Sequence, residues 1–364
     1  MEIRLTEHGA REQTQHSIEG KTLFKKKIPV VLAVAVALVS AVSGCSGTVD
    51  SLAGNSSGTD GHSTLILQDS TQYTQLPIRF GVEKGIFAKE GLDVKFTQVE
   101  DAVTGVATGE LTFAFGPTST YLRAAAKGAP IKIVSSAFRS KGPFFLVARP
   151  GINSIADLKG KTIGIAQSGS GMETYTRKIL SANGVDPNKD VKFVADGVNQ
   201  QAYGALTTGQ VDATIIHQPF PALGQLQGKS VTLARGWDYL PTYHTGVLIA
   251  GNDVINKNPE LLRKGLRAYF TAYTYAKEHY AEYLPWLQAK LSTIDPRAVD
   301  LALKQEDDIW DDNPAVDPRA IDDTQETEIS VGFQNSKYDA AKYIDTRFIP
   351  QEFVKPFSYP KPVR

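Results

Sequence analysis

The chain has 364 residues, with 39 lysine and arginine side chains against 39 aspartate and glutamate side chains, so its formal net charge at pH 7 is zero. This balance gives no electrostatic basis for binding nucleic acid, because a phosphate backbone is bound by a basic surface. Hydrophobic residues at 41% and charged residues at 21% argue against a disordered chain and against a polytopic membrane protein. The single cysteine, Cys45, excludes a disulfide framework and a cysteine-based metal centre, and we expect no cofactor.

The first 44 residues have the pattern of a targeting segment. Three lysines at 25–27 precede an apolar run at 28–42, which is 15 residues long. A membrane-spanning helix needs about 20 residues and a secretory signal about 7–15, so the run predicts a signal peptide. The sequence Val42-Ser43-Gly44-Cys45 resembles a bacterial lipobox, in which the cysteine is lipidated and becomes the mature N-terminus. The alternative is an uncleaved anchor, which would place the same domain outside the membrane.

Residues 45–63 predict a flexible tether, because serine, glycine, threonine, asparagine and aspartate dominate and leave almost nothing to bury. A tether of this kind suits a soluble domain that is attached to a lipid. The remaining length, at about 100–200 residues per domain, predicts two domains or lobes.

From Thr64 onward, short β-like runs alternate with helical patterns, which predicts an α/β fold. Most of the runs are continuously apolar or β-branched, as is typical of strands covered on both faces. The predicted strands are 64–68, 94–99, 111–115, 131–135, 144–148, 162–166, 191–194, 213–216, 231–234 and 246–250. The predicted helices between them are 77–88, 102–108, 119–127, 171–182, 200–208 and 218–226.

After Asn258 the pattern becomes helical. Asn258 is a suitable N-cap and Pro259 suits the first helical position. A stripe spaced by three and four residues predicts the buried face of this helix: Leu262, Leu266, Tyr269, Tyr273, Ala276 and Tyr280.

One internal repeat indicates how the lobes are related. The segment at 109–117, GELTFAFGP, recurs at 209–219 as GQVDATIIHQP, 100 residues later. Each copy follows a predicted helix and leads through a buried strand to a loop that contains proline. This repeat favours two similar α/β lobes, each of which brings the carboxyl end of a strand to a shared cleft.

Three segments carry a resemblance to a known family. Residues 77–94, PIRFGVEKGIFAKEGLDV, resemble the opening signature of the solute-binding proteins of nitrate, sulfonate and taurine importers, a class that also includes thiamine-pyrimidine binders. Residues 154–164 and 205–213 match the same class, although Thr112 stands where relatives often carry aspartate. The resemblance implies a type II periplasmic-binding-protein-like fold, with two α/β lobes joined by two crossover strands. Lobe 1 would be 64–148 plus 251–364, and lobe 2 would be 149–250.

The Ser/Gly loop is the first candidate for contact with a ligand. It leads from a predicted strand directly into a helix and consists of Gln167, Ser168, Gly169, Ser170 and Gly171. Free amides at a helix start and the helix dipole favour negative charge, and in the resembling family this loop holds the anionic head of the solute. The alternatives are a helix cap formed by Ser170 with Glu173, and contact with a neutral, hydrogen-bonded ligand.

Further candidates lie at the ends of other predicted strands. They are Gln68, Asp69, Tyr73, Gly116, Pro117, Thr118, Ser119, His217, Gln218 and Trp237. Residues 116–119 read as a turn into a second helix N-terminus, with a simple cap as the alternative. His217 is either a ligand contact or a satisfied structural histidine. Trp237 forms either an aromatic wall with Tyr239 and Tyr243 or packing at the hinge, while Arg139 and Lys141 follow the fourth strand.

The resemblance and the targeting segment together predict an extracytoplasmic, lipid-anchored and monomeric solute-binding protein. It would deliver a small anionic organic solute, of the sulfonate, taurine or nitrate kind, to the permease of an ABC importer. Alternative solutes are of the thiamine-pyrimidine or aromatic-carboxylate type, and an alternative role is that of a ligand-sensing lipoprotein for a membrane receptor. We expect no enzymatic activity, because the sequence has neither a nucleophile elbow nor a phosphate-binding loop.

The lipid anchor yields a direct prediction. Wild-type protein expressed in a bacterial host should partition into the membrane fraction, whereas Cys45→Ser should be soluble or unprocessed, because it has no thiol to lipidate. Fractionation and mass spectrometry of the mature N-terminus measure both outcomes. An unmodified mature N-terminus at another residue would contradict the predicted anchor.

Overall fold

The computed structural model describes residues 62–70, 72–138, 141–310, 313–359 and 361–362. Cys45, the signal segment and most of the tether lie outside these residues, so the predicted anchor stays a prediction. Among the residues described, no helix is long and apolar enough to cross a membrane.

The ten predicted strands are confirmed, with bounds that differ by a few residues. They are β1 (Ser63–Gln68), β2 (Leu92–Thr97), β3 (Ala114–Pro117), β4 (Ile131–Phe138), β5 (Phe145–Ala148), β6 (Thr162–Gly164), β7 (Lys192–Val194), β8 (Ala213–Ile216), β9 (Val231–Arg235) and β10 (Gly246–Gly251).

Helices connect the strands, as predicted, and follow β10. They are α1 (Leu76–Glu83), α2 (Ile86–Lys89), α3 (Ala102–Thr108), α4 (Thr118–Ala126), α5 (Gly171–Ala182), α6 (Gln200–Thr207), α7 (Phe220–Gln227), α8 (Gly236–Tyr239), α9 (Asn252–Lys257), α10 (Pro259–Glu278), α11 (Tyr280–Lys290), α12 (Pro296–Glu306) and α13 (Pro318–Ser330). The single helix predicted over 77–88 is wrong in one respect. Gly85 takes a left-handed conformation with φ of 71°, which divides the segment into α1 and α2.

The strands form three open sheets. Parallel β1 and β2 make the first, and β10 lies between β3 and β4 in an antiparallel second sheet. The third has five strands in the order β7-β6-β8-β5-β9, with β6 parallel to both of its neighbours and β5 antiparallel to β8 and β9. The structure is therefore of the predicted mixed α/β class.

The internal repeat has a physical basis in the structure. The amide of Thr112 donates to the Ile66 carbonyl at 2.8 Å, while Thr112 Oγ1 accepts from the Ile66 amide at 3.0 Å. One hundred residues later, the amide of Asp212 donates to the Thr162 carbonyl at 2.8 Å, while Asp212 Oδ2 accepts from the Thr162 amide at 2.9 Å. In each copy one polar residue thus satisfies both backbone groups of a neighbouring strand residue, and a hydroxyl serves in the first copy where a carboxylate serves in the second.

The predicted division into lobes stays a prediction, but the strand pairing bears on its boundaries. Strand β5 ends at Ala148, on the lobe 1 side of the predicted boundary, and pairs within the five-stranded sheet. Strand β10 begins at Gly246, on the lobe 2 side, and pairs with β3 and β4. The chain therefore changes sheets before β5 and again before β10.

The C-terminal helices pack beside the two-stranded sheet and beside the five-stranded sheet. Helix α10 lies on α1, where a Cβ at Gly81 would come within 2.4 Å of Ala272 Cβ, so the two helices approach closely. Helix α12 lies on α7, beside the five-stranded sheet. The predicted stripe of α10 is buried except for Tyr273, which is partly exposed, and Tyr280, which begins α11.

Candidate functional site

A cavity of about 730 Å³ opens between the sheets. Its walls come from the ends of β1 and β3 on one side and from the segments that follow β6 and β8 on the other. A cavity of this volume at the ends of strands is where α/β proteins bind small ligands. Most of its wall is apolar and includes Leu67, Ile78, Phe96, Phe113, Phe115, Tyr121, Phe144, Met172, Tyr243, Leu248 and Tyr269.

The structure brings about half of the predicted site residues to this cavity. Those that line it are Gln68, Asp69, Gly116, Pro117, Gln167, Ser170, Gly171 and His217. Those that lie outside its wall are Tyr73, Thr118, Ser119, Ser168, Gly169, Gln218 and Trp237. For the residues in the wall, contact with a solute stays a prediction.

Tyr73, Gln218 and Trp237 belong to the packed interior instead. Tyr73 and Trp237 lie in one hydrophobic cluster, in which the Trp237 ring packs edge-on against Phe145 with 5.2 Å between centroids. The Gln218 side chain is buried, where its Oε1 accepts from the Ala222 amide at 3.1 Å and caps α7. These residues follow strands, as predicted, but they do not line the cavity.

Thr118 and Ser119 are buried at the start of α4 and bond to the chain before β10. Thr118 Oγ1 lies 3.0 Å from Nδ1 of His244, and the Tyr243 hydroxyl lies 3.4 Å from Ser119 Oγ. The predicted second donor array is therefore directed at the protein itself. Of the predicted aromatic wall, Tyr243 lines the cavity, whereas the Tyr239 hydroxyl accepts from Asn183 at 3.1 Å.

The Ser/Gly loop forms the helix cap that the sequence left open. Ser170 Oγ accepts from the Glu173 amide at 3.3 Å and donates to the Ile165 carbonyl at 3.2 Å. Glu173 reaches back and accepts from the Gly169 amide at 2.7 Å. Its carboxylate is 2% exposed, so a negative charge already occupies this helix start, where it is paired with Arg177. An anionic head group that used the Gly169 amide would have to displace this carboxylate.

His217 follows β8 and is held by a backbone carbonyl. Its Nδ1 lies 3.1 Å from the Pro143 oxygen, and its ring packs on Phe144 with 4.9 Å between centroids. Burial lowers the pKa of His217 to about 4, although the bond to the Pro143 carbonyl opposes the shift. The imidazole is therefore neutral at physiological pH.

Sequence reasoning missed Arg79 and the phenylalanines of the wall, which include Phe96, Phe113 and Phe115. Arg79 pairs with Asp69, and its guanidinium carbon lies 4.2 Å from the centre of the Phe96 ring. The sequence could have indicated the phenylalanines, because Phe113 and Phe115 are two residues apart and therefore lie on the same side of an extended segment. Arg79 lies on α1 one turn after Gln75, which also lines the cavity.

The charged groups in the wall leave little net charge. Apart from tyrosines, the titratable side chains in the described wall are Asp69, Arg79 and His217. The first two form an ion pair and the third is neutral at physiological pH. In the described part of the chain, no group of three or more histidine, cysteine, aspartate or glutamate residues is arranged to hold a metal ion.

The cap gives a prediction with a matched control. Ser170→Ala should lower the free energy of unfolding of the ligand-free protein by about 1 kcal/mol, because it removes the acceptor for the Glu173 amide. Ser168→Ala should leave it unchanged, since Ser168 is exposed. Denaturant unfolding of the two variants measures the difference, and equal stabilities would contradict the assignment of the cap.

Comparison with known proteins places the chain in a family. A family model described as NMT1/THI5 like matches residues 73–282, which is more than half of the chain. A Brucella abortus protein, provisionally named a binding protein, is 30% identical over 190 residues, which are 50% of this chain and 57% of the relative. The chain thus spans a little over half the length of the curated relatives it matches.

Solved structures resemble the fold at low sequence identity. The alkanesulfonate-binding protein SsuA of Xanthomonas axonopodis, solved with MOPS, is 17% identical with a TM-score of 0.60, covering 80% of this chain and 98% of that one. The desulfurization enzyme DSZB is 15% identical with a TM-score of 0.56, covering 78% of this chain and 97% of that one. At these identities the likeness shows the fold, and the predicted periplasmic-binding-protein fold is confirmed. The chain belongs to the NMT1/THI5-like family and has the fold of periplasmic binding proteins.

Proposed function

We propose that this chain is an extracytoplasmic solute-binding protein that captures a small organic solute and delivers it to the permease of an ABC importer. The observation that carries the proposal is the cavity of about 730 Å³, whose wall comes from the ends of β1 and β3 on one side and from the segments after β6 and β8 on the other. A solute held there would contact both sides at once. The mechanism is non-covalent, since a ligand that binds the closed arrangement more tightly shifts a two-state equilibrium toward it.

Glu328 on α13 bonds to elements from the two sides of the cavity, which supports capture of the solute by closure of those sides. Its side chain is 1% exposed and accepts from Arg123 on α4 at 2.7 Å and from Thr174 on α5 at 2.8 Å. The Tyr243 hydroxyl, which lines the cavity, also donates to it at 2.8 Å. A buried carboxylate is stable only while paired, so these three bonds favour the arrangement in which Glu328 bridges α4 and α5.

Two classes of solute have support, a sulfonate-like anion and an uncharged aromatic molecule. The structural likeness to a protein named for alkanesulfonates supports the sulfonate-like anion that the sequence favoured. The wall of this cavity supports the uncharged form of the alternative, a largely aromatic solute of the pyrimidine type. The cation of the wall, Arg79, is already paired with Asp69, and the start of α5 is already occupied by Glu173. We therefore place an uncharged aromatic solute first and a sulfonate second.

Binding rather than catalysis is the proposed role. The fold leaves this open, because DSZB shares it and is an enzyme. The histidine in the wall bonds to a backbone carbonyl rather than to a hydroxyl that it could activate, which supports a binding role. The lipid anchor at Cys45, a position outside the cell membrane and a monomeric state complete the proposal.

The proposal predicts that full-length protein in detergent binds one solute per chain and releases it unchanged. The screen compares uncharged aromatic amides and alcohols with taurine, MOPS and nitrate, using calorimetry for stoichiometry and mass spectrometry of the released solute. Gln167→Trp should weaken binding at least tenfold, because Gln167 lines the cavity and its side chain is exposed enough to be enlarged without disturbing the core. Ser168→Trp, at the neighbouring exposed position outside the wall, is the control. Chemical turnover of the bound solute, or equal effects of the two variants, would overturn the proposal.

A further inference from the structure

The hydrogen-bond partner of His217 determines which of its nitrogens carries the proton. A carbonyl oxygen can only accept, so the contact of 3.1 Å between Nδ1 and the Pro143 oxygen places the proton on Nδ1. The pKa of about 4 keeps the second nitrogen, Nε2, unprotonated at neutral pH. Nε2 then presents a lone pair, and within the described residues it has no hydrogen-bond partner. The side chain is partly exposed and lines the cavity.

The ring of His217 is fixed in this orientation by its neighbours. Phe144 packs against it with 4.9 Å between ring centroids, and Tyr175 supports Phe144 from behind at 4.8 Å. Tyr175 is fully buried, so the stack has a rigid base. A ring flip would exchange Nδ1 with Cδ2 and break the bond to Pro143. The acceptor therefore has a defined place in the wall.

The remaining wall offers no free positive charge among the residues described. The guanidinium of Arg79 is paired with Asp69 and lies over Phe96. An anionic head group would have to displace Asp69 or rely on neutral donors such as Nε2 of Gln75, and neither arrangement supplies it with a free positive charge. An anionic oxygen placed against Nε2 would meet another lone pair. An N–H or O–H group placed there would complete a hydrogen bond.

We propose that Nε2 of His217 is the specificity-determining acceptor of the cavity, which selects an uncharged aromatic solute carrying a hydroxyl or amide N–H and rejects anionic head groups. This inference rests on the proposed solute-binding function and names the chemical class of the solute. The aromatic side chains of the wall pack against the solute, and Nε2 of His217 accepts a hydrogen bond from its donor group.

The test uses probes that share one ring and differ in a single group. Phenol and benzamide carry a donor, anisole has the donor methylated, and benzenesulfonate carries an anion. Ligand-observed NMR on the full-length protein in detergent at pH 7.5 measures all four affinities. Phenol and benzamide should bind at least tenfold more tightly than anisole, and benzenesulfonate should bind most weakly. Tighter binding of benzenesulfonate than of phenol would overturn the inference.

Two variants separate the acceptor from the shape of the ring. His217→Phe keeps an aromatic ring against Phe144 and has no acceptor, so phenol and anisole should bind it equally. His217→Gln can still donate to the Pro143 carbonyl with its amide nitrogen and accept with its oxygen, so it should retain the preference for phenol. A preference that survives in His217→Phe would overturn the role of Nε2. Near-ultraviolet circular dichroism checks that each variant is folded, and the four-probe comparison on the wild-type protein decides the question if His217→Phe is not.

The outcomes also distinguish this inference from the function on which it rests. Probes that bind equally, with competition by a common solute and loss in Gln167→Trp, would contradict the selectivity of His217 while leaving solute binding intact. Failure of every probe and of every solute in the wider screen would contradict both.

Discussion

The interaction on which the site depends is the pairing of buried polar groups with the protein itself. A buried charge or donor without a partner is costly, and the charged groups around the cavity are paired, whereas Nε2 of Gln75 in the wall has no partner among the residues described. Glu173 accepts from the amide of Gly169, and Asp69 forms an ion pair with Arg79. Nδ1 of His217 donates to the Pro143 carbonyl. These pairings leave a solute three kinds of contact: an aromatic wall, neutral polar side chains such as Gln75, and one imidazole lone pair. The chemistry of the cavity therefore depends on which polar groups remain unpaired within the protein, more than on the identity of any single residue.

The same constraint accounts for the internal repeat. Thr112 and Asp212 occupy corresponding positions and make the same pair of bonds, to Ile66 and Thr162 respectively. Asp212 makes the side-chain bond of this pair with a charged carboxylate, whereas Thr112 makes it with a neutral hydroxyl. Burial raises the pKa of its carboxyl group, but the bond from the Thr162 amide and the pairing with Arg149 outweigh burial and lower it. The threonine needs no cation, and the first copy can therefore dispense with a counterpart to Arg149.

The sequence predicted the strands and most helices, because buried runs and capping residues act over a few neighbouring positions. The helix from Gly171 to Ala182 was predicted to the residue, since Ser170 and Glu173 cap it locally. The site could be predicted only as a set of strand ends. Whether a side chain after a strand faces the cavity or the core depends on the elements packed behind it, which spacing along the chain does not report. Gln218, which caps α7, and its neighbour His217, which lines the cavity, illustrate the difference.

The central claim is that the cavity presents a neutral imidazole acceptor to its solute. Long-range proton–nitrogen NMR of histidine-labelled protein tests this most directly, with the His217 signals assigned by their loss in His217→Gln. A neutral acceptor requires a protonated Nδ1 and an unprotonated Nε2 at neutral pH, and Nε2 should shift toward the hydrogen-bonded position when phenol is added. A proton on Nε2, or titration near the ordinary histidine pKa of about 6.5, would contradict it.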